Sequence, residues 1–286
     1  MSIKSHTWEK CVKLMLLAAT MVSVVAALSI LILLIYFVRP IFSVEGLKAV
    51  ISWEWRPFSG HFGIMPMMVG SLCLSLGALL LACPLAVGIS SFVCVLAPKK
   101  PAKIVNAVIH YMTSIPTVIY GFVSIFLLVP LIRDWLAKGT GLSLLTATLA
   151  LSILILPTIV LVYSAYLREK DSSMRLTAAA IGLSRVQYFL FVLLPLTRKG
   201  FVVASILGFG RAIGDTLISL MLAGNTPLIP GSLFDSIRTL TAHIALVIAT
   251  DSQTTFYHSV FAAGLLLFLL MALINIIIRK LGGKAS

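Results

Sequence analysis

Two ionisable residues stand inside one long apolar run of this chain: Arg211 and Asp215, in the stretch Gly210-Arg-Ala-Ile-Gly-Asp-Thr216. Four residues apart, they share one face if the run is helical. An arginine at mid-membrane costs about 2.5–3.5 kcal/mol even on the lenient insertion scale, so such residues usually face a bundle interior or a water path. The planar guanidinium donates two parallel hydrogen bonds to two oxygens, which suits an oxyanion. A neighbouring carboxylate repels a fully ionised anion but accepts a hydrogen bond from one that carries its own acidic proton. Hydrogen phosphate meets that condition and ionised sulfate does not, while protonated arsenate passes the same test. The bland alternative is a mutually neutralising pair that holds helices together. Thr216 and, from a separate segment, Arg238 complete the candidate substrate path, although the segment of Arg238 could equally be an exposed external cap.

A second polar set is Asn106, His110, Thr113, Thr117, Tyr120 and Ser124. Its steps of three and four residues keep one helical face in register. A polar stripe in lipid turns toward protein or water, so it either lines a path or serves as interhelical glue. His110 alone fits packing or hydrogen bonding better than proton shuttling.

Catalytic and cofactor chemistry finds no foothold. Gly208-Phe-Gly-Arg-Ala-Ile-Gly214 has the wrong glycine spacing for a dinucleotide fingerprint and lies in an apolar run instead of after a strand. There is no G-x4-G-K-[ST] loop to cradle ATP, and neither H-E-x-x-H nor G-x-S-x-G occurs. Cys11, Cys73, Cys83 and Cys94 lie in or beside apolar runs without metal-ligand spacing, so they read as small packing residues. No enzyme activity, cofactor or metal is expected in this chain.

The elements that must position these residues follow from composition. Of 286 residues, 60% are hydrophobic and only 11% charged, which excludes an ordinary soluble domain and a disordered chain. The net charge of +13 does not point to nucleic acid, because the cations sit between apolar runs and not on a polar surface. Windows of roughly 20 residues, the length that crosses about 30 Å of hydrocarbon, predict an all-α membrane protein with six spans. They cover Val12 to Val38, Pro66 to Leu96, Ile104 to Ile132, Leu142 to Leu167, Gly200 to Ala223 and Tyr257 to Ile278, with the second and third open to being split or shifted by prolines, notably Pro84 and Pro116, and with five or seven spans as the alternatives. The first run is too long for a cleavable signal and is expected to remain as an anchor.

Basic residues set the orientation. Lys4, Lys10, Lys13, Lys99, Lys100, Lys103, Arg168, Lys170, Arg175, Arg185, Arg198, Lys199, Arg279, Lys280 and Lys284 fall on one side. Arg39, Lys48, Arg56, Arg133, Lys138 and Arg238 fall on the other. The positive-inside rule then places both termini in the cytoplasm of a multi-pass plasma (inner) membrane protein. The external segment Pro40 to Met65, with Trp53, Trp55 and Phe58, reads as an interfacial brace, and Leu228 to Ile248 is apolar enough to dip back into the membrane. The expected organisation is an anchor and brace over 1–65, a core over 66–278 and a tail over 279–286.

The internal segment Arg168 to Lys199 alternates charges with apolar residues, a pattern of short amphipathic helices broken at Gly182 and Pro195. Its residues Ala178, Ala179, Gly182, Val192, Leu194 and Pro195 reproduce the spacing of a known signature. The segment resembles the cytoplasmic EAA loop (E-A-A-x3-G-x9-I-x-L-P) of importer permeases of the ATP-binding-cassette class, with Leu176 and Thr177 where that loop has Glu and Ala. Further stretches narrow the likeness: Phe62 to Ser71, Ser114 to Gly121, Gly210 to Thr216, Ala223 to Asn225 and Arg238 to Ala245. In that order they resemble PstC-type permeases of the phosphate-specific transporter, within the MetI-like permease family. Those permeases usually carry Glu where this chain has Asp215.

The resemblance implies a MetI-like fold in which this chain forms half of a phosphate path. It also implies a homologous second permease (PstA-type), two cytoplasmic ATP-binding subunits (PstB-type) that carry the ATP, and an external phosphate-binding protein (PstS-type), in a bacterial inner membrane. Ala178, Ala179, Gly182, Leu194 and Pro195 would then couple to the ATPase. A permease for another oxyanion, and a secondary anion transporter or channel using Arg211, Asp215 and His110, are the alternatives.

Overall fold

The computed structural model describes residues 3–42, 44–136, 139–248 and 255–282. Lys138, Lys284 and the end of the expected tail, 283–286, lie outside them. The chain is almost entirely helical: α1 (Ile3–Val38), α2 (Val44–Val50), a two-residue hairpin β1 (Trp55–Arg56) and β2 (His61–Phe62), α3 (Met65–Ser91), α4 (Lys99–Ser114), α5 (Thr117–Leu136) and α6 (Leu144–Ala180). The remainder is α7 (Arg185–Gln187), α8 (Leu194–Leu196), α9 (Arg198–Ile213), α10 (Leu217–Leu222), α11 (Leu240–Val247) and α12 (Thr255–Gly282). The brace expected between Pro40 and Met65 is therefore one short helix and a minimal hairpin that pairs Trp55 with Phe62.

Five helical stretches are long and apolar enough to cross a membrane: Trp8–Ile41, Met65–Leu96, Thr117–Asp134, Leu144–Ala180 and His258–Lys280. A sixth candidate is the pair Arg185–Leu196 and Arg198–Ile213, bent by 70°. The core is built on α3 and α6. Met67, Ser71, Leu74, Ala78, Ala82 and Ala86 are buried on α3 at helical steps, and three of the six are alanines that let the facing helix approach closely. Opposite them Leu151, Leu154, Ile155 and Ile159 of α6 are buried. By contrast α1 is apolar on every side and mostly exposed, as a lipid-facing rod is. Phe37 stacks on Phe261 with ring centroids 4.5 Å apart, joining α1 to α12.

Of the two prolines open to splitting a span one does so, and two further expectations need correction. The third span is not one rod: Ile115 is extended and Pro116 follows it, so Ile104 to Ile132 divides between α4 and α5, as a proline biases the residue before it away from helix. Pro84, by contrast, lies inside an unbroken α3. The fifth span, Gly200 to Ala223, stops at Ile213 and restarts at Leu217. Finally, the internal segment does not start a helix of its own, because α6 runs on through Arg168 to Ala180 before turning at Gly182. The second break comes at Thr197, two residues after Pro195.

Candidate functional site

The interruption between α9 and α10 builds the site. The α9 ladder ends with the Gly214 N–H on the Gly210 carbonyl, 3.2 Å, and the Asp215 N–H on the Ala212 carbonyl, 3.3 Å. Asp215 then serves the next helix, its Oδ2 accepting from the Ile218 N–H at 2.8 Å. An acidic group at a helix start satisfies an orphan donor and complements the dipole. Arg211 thus lies in α9 and Asp215 in the break that precedes α10, and the expected shared helical face does not exist. They lie within electrostatic reach of each other, but no ion pair within 4 Å joins them among the described residues. Arg211 instead donates from Nη1 to Thr158 Oγ1 on α6 at 3.0 Å. One hydroxyl aims the guanidinium while its other N–H groups stay available.

The freed backbone at the break is stitched to the segment that returns from Leu228 to Ile248. The Thr241 hydroxyl donates to the Asp215 carbonyl at 2.9 Å and contacts the Thr239 hydroxyl at 3.1 Å. Thr239 in turn donates to Ser219 Oγ at 2.9 Å and caps α11 through the Ala242 N–H. The Leu240 N–H donates to Ser71 Oγ on α3 at 2.8 Å. Irregular backbone inside a membrane protein needs such partners, since lipid offers none.

Arg238 arrives on the same returning segment. A parallel bridge joins Gly224 and Ile237, and Arg238 Nε donates to the Asn225 carbonyl at 2.8 Å. Asn225 takes the left-handed conformation, φ 60°, and its Nδ2 donates to the Leu220 carbonyl. The returning chain lies so close to α3 that a Cβ on Gly70 would stand 2.5 Å from the Arg238 carbonyl oxygen. The segment is therefore packed into the bundle, as its apolar character predicts, with Ile237, Leu240, Ala242 and His243 buried.

The other candidates distribute unevenly. Arg211, Asp215, Thr216 and Arg238 are all half-buried, and Tyr120 of α5 is within electrostatic reach of Arg211. The polar stripe is not one face, because Asn106, His110 and Thr113 lie on α4 while Thr117, Tyr120 and Ser124 lie on α5. Tyr120 Oη spans the interruption by donating to the Met112 carbonyl at 2.8 Å. Asn106 accepts from Arg168 Nη2 at 3.2 Å, beside the internal segment. Exposed Thr113 bonds back to the His110 carbonyl. Thr158, Thr241 and His243 were not singled out by spacing. His243 is fully buried against the Trp55 ring, and neither ring nitrogen has a hydrogen-bond partner. A lone histidine in an apolar stretch carries no sequence signal that would separate it from a packing residue.

At the other end of the bundle, Gly182 takes φ +80°. The Gly182 N–H reaches the Ala179 carbonyl and the Leu183 N–H the Ala178 carbonyl, each at 3.1 Å, so the glycine closes the end of α6. A Cβ at Gly182 would meet nothing within 4 Å, so no close approach inside this chain requires the glycine. Ser184 and Gln187 form a reciprocal capping box that starts the next turn. Ala178, Tyr188, Phe189 and Leu193 anchor the segment in the core, while Leu176, Ile181 and Phe191 are 83%, 71% and 73% exposed. Ala179 and Pro195 are exposed and Leu194 is half-buried.

The chain that carries this geometry is similar to known proteins. The profile of the binding-protein-dependent transport system inner membrane component family matches residues 78–285. The chain belongs to that family. Among relatives of this transport component, the "Probable ABC transporter permease protein YqgH" of Bacillus subtilis (strain 168) is 32% identical over 244 residues, covering 84% of this chain and 79% of that protein. The "Phosphate transport system permease protein PstC" of Xylella fastidiosa (strain Temecula1) is 26% identical over 286 residues, covering 93% and 88%. A chain from the crystal structure of a bacterial alginate ABC transporter in complex with alginate pentasaccharide-bound periplasmic protein superposes with a TM-score of 0.69 at 14% identity, covering 98% of this chain and 96% of that one. A chain of the inward-facing MetNI methionine ABC transporter gives 0.60 at 16% identity, covering 80% and 99%. The fold is therefore that of an ABC importer permease.

Proposed function

We propose that this permease is the transmembrane subunit of an ATP-driven inorganic phosphate importer and contributes half of the translocation path. The observation that carries the reading is Arg211: a guanidinium inside a predicted span, aimed by one hydroxyl and not neutralised by the carboxylate nearest in sequence. Phosphate satisfies both charges at once. Two of its oxygens accept from the free N–H groups of Arg211, and its acidic hydroxyl donates to the Asp215 oxygen that Ile218 does not occupy. Sulfate would leave that carboxylate facing another acceptor, a penalty that excludes it. Thr216 and Arg238 line the same approach.

A homologous second permease completes the path, an external phosphate-binding protein delivers the anion, and two ATP-binding subunits supply the energy from the cytoplasm, where both termini lie. This chain has no ATP loop, so that energy arrives by contact. The bare face around Leu176, Ile181 and Phe191, anchored from behind by Tyr188 and Phe189, is the surface that suits an ATPase groove. Phosphate uptake into proteoliposomes holding the full complex, measured with and without the ATPase subunits, tests the reading. Uptake that needs the ATPase and is not competed by sulfate is expected. Uptake that proceeds without ATPase, or that carries sulfate equally well, contradicts it.

A further inference from the structure

The end of the bundle that carries Gly182 also holds a cleft of about 380 Å³, within the range of about 300–1,000 Å³ usual for small-molecule sites. Lys99 and Lys103 of α4, Arg168 and Arg175 of α6, and Arg185 of α7 line it together with Asn106. Five cations converge on one concavity, and no Asp or Glu is among the residues that line it. Two of them have a hydrogen-bond partner at the cleft. Arg168 Nη2 donates to Asn106 Oδ1 at 3.2 Å, and Arg185 Nη1 donates to the Leu96 carbonyl at 3.5 Å, so neither bond uses the whole of its fork. Arg175 is held only loosely, 3.8 Å from Asp171. All five cations are solvent-exposed, so their mutual repulsion is screened, but gathering them in one concavity still costs energy that a bound anion recovers.

We propose that this cleft binds the phosphate group of a small anion, either free inorganic phosphate or the headgroup of an anionic phospholipid. Arginine forks match tetrahedral phosphate oxygens, and lysines add point charges. Basic pockets between helices at a membrane boundary are suited to acidic headgroups. An anion seated there ties α4 to the segment that follows Gly182, because Lys99 and Lys103 precede the Pro116 break while Arg185 follows the turn. The site is independent of which anion the permease transports.

The test uses the full complex in nanodiscs. One arm compares phosphatidylglycerol with phosphatidylcholine by native mass spectrometry of retained lipid. The other titrates inorganic phosphate in phosphatidylcholine discs and reads the thermal midpoint. The double variant Lys99→Gln/Lys103→Gln and, separately, Ala102→Glu should weaken binding about tenfold or more, while the equal charge change Lys10→Gln/Lys13→Gln on α1 leaves it intact. Retained phosphatidylglycerol that depends on Lys99 and Lys103 assigns a headgroup, and phosphate-dependent stabilisation lost in the same variants assigns the free ion. Equal binding by wild type and both cleft variants overturns the proposal. So does equal loss in the α1 control, which would mean diffuse attraction, and so does release of the ATPase from Lys99→Gln/Lys103→Gln with lipid and phosphate binding unchanged.

Discussion

The chain interrupts its helices at Gly214–Thr216 and again at Ile181–Ser184, and the two breaks differ in what satisfies them. At the first, partners come from inside the chain: Asp215 accepts from the Ile218 N–H of α10, Thr241 covers the Asp215 carbonyl, and Ser219, Thr239 and Ser71 extend the network across three elements. At the second, the backbone closes on itself through Gly182, and Leu176 and Ile181, which precede it, are largely exposed. A break furnished from within holds side chains at fixed positions, as a binding site requires. A break bare on one face leaves the surface that the proposed coupling to an ATPase subunit would use. On the proposed function, the same device, a helix stop next to glycine, serves recognition at one break and coupling at the other.

That contrast can be broken from either side. The largest effect is expected at Arg211. Two charge-assisted hydrogen bonds at about 1.5–3 kcal/mol each place the loss of uptake in Arg211→Ala near a hundredfold or more, with assembly of the complex unchanged. Arg211→Lys should recover little, because an ammonium cannot reproduce the fork. Wild-type uptake by a correctly assembled alanine variant removes Arg211 from the path.

Next comes Gly182. A non-glycine residue in the left-handed conformation costs about 1–2 kcal/mol, which a stable bundle absorbs, so Gly182→Asp should fold and insert. Its uptake and its substrate-stimulated ATP hydrolysis should both fall by about tenfold or more, because a charge enters the bare face. Phosphate-binding protein should still dock. Cysteines at Ala179 or Ser184 should crosslink to the ATPase, and robust transport by Gly182→Asp, or no crosslink at any position from Leu176 to Val186, would reject the coupling role.

Asp215→Asn isolates charge from architecture. The amide oxygen still accepts the Ile218 N–H, so α10 keeps its start, while the NH2 group now donates where a carboxylate accepted. Phosphate transport should drop several-fold and sulfate, as a competing substrate, should begin to enter. If phosphate transport is normal and sulfate still excluded, the carboxylate is an α10 cap only. The smallest effect is expected from Thr241→Val, which removes one hydrogen bond worth about 1 kcal/mol from the Asp215 carbonyl. A lowered thermal midpoint with uptake reduced less than about threefold fits support at one remove, whereas complete loss of uptake would place Thr241 against the substrate.

Much of this was legible in the chain. Hydropathy located the crossing segments, Pro116 marked a true break, Gly182 marked the turn, and the apolar character of Leu228 to Ile248 revealed a returning segment. What escaped was settled by tertiary partners. Gly214 sits in a window as apolar as its neighbours, so a hydropathy scan runs through it. The local signal was Asp215-Thr216 before Leu217-Ile-Ser-Leu, the pattern of a helix start. The extension of α6 through Arg168 to Ala180 escaped because charges after Leu167 read as the end of a span and the start of separate short amphipathic helices, whereas here they ride an existing helix beyond the core. The polar stripe failed for the converse reason, its spacing being intact while Pro116 divided the helix that would have given it meaning.

The division between recognition and coupling is tested most directly by measuring phosphate uptake and binding-protein-stimulated ATP hydrolysis side by side in one reconstituted Arg211→Ala complex. Uptake at background with at least half of the stimulated hydrolysis retained is the predicted result. Uptake at the wild-type level, or hydrolysis lost in proportion to uptake, would contradict it.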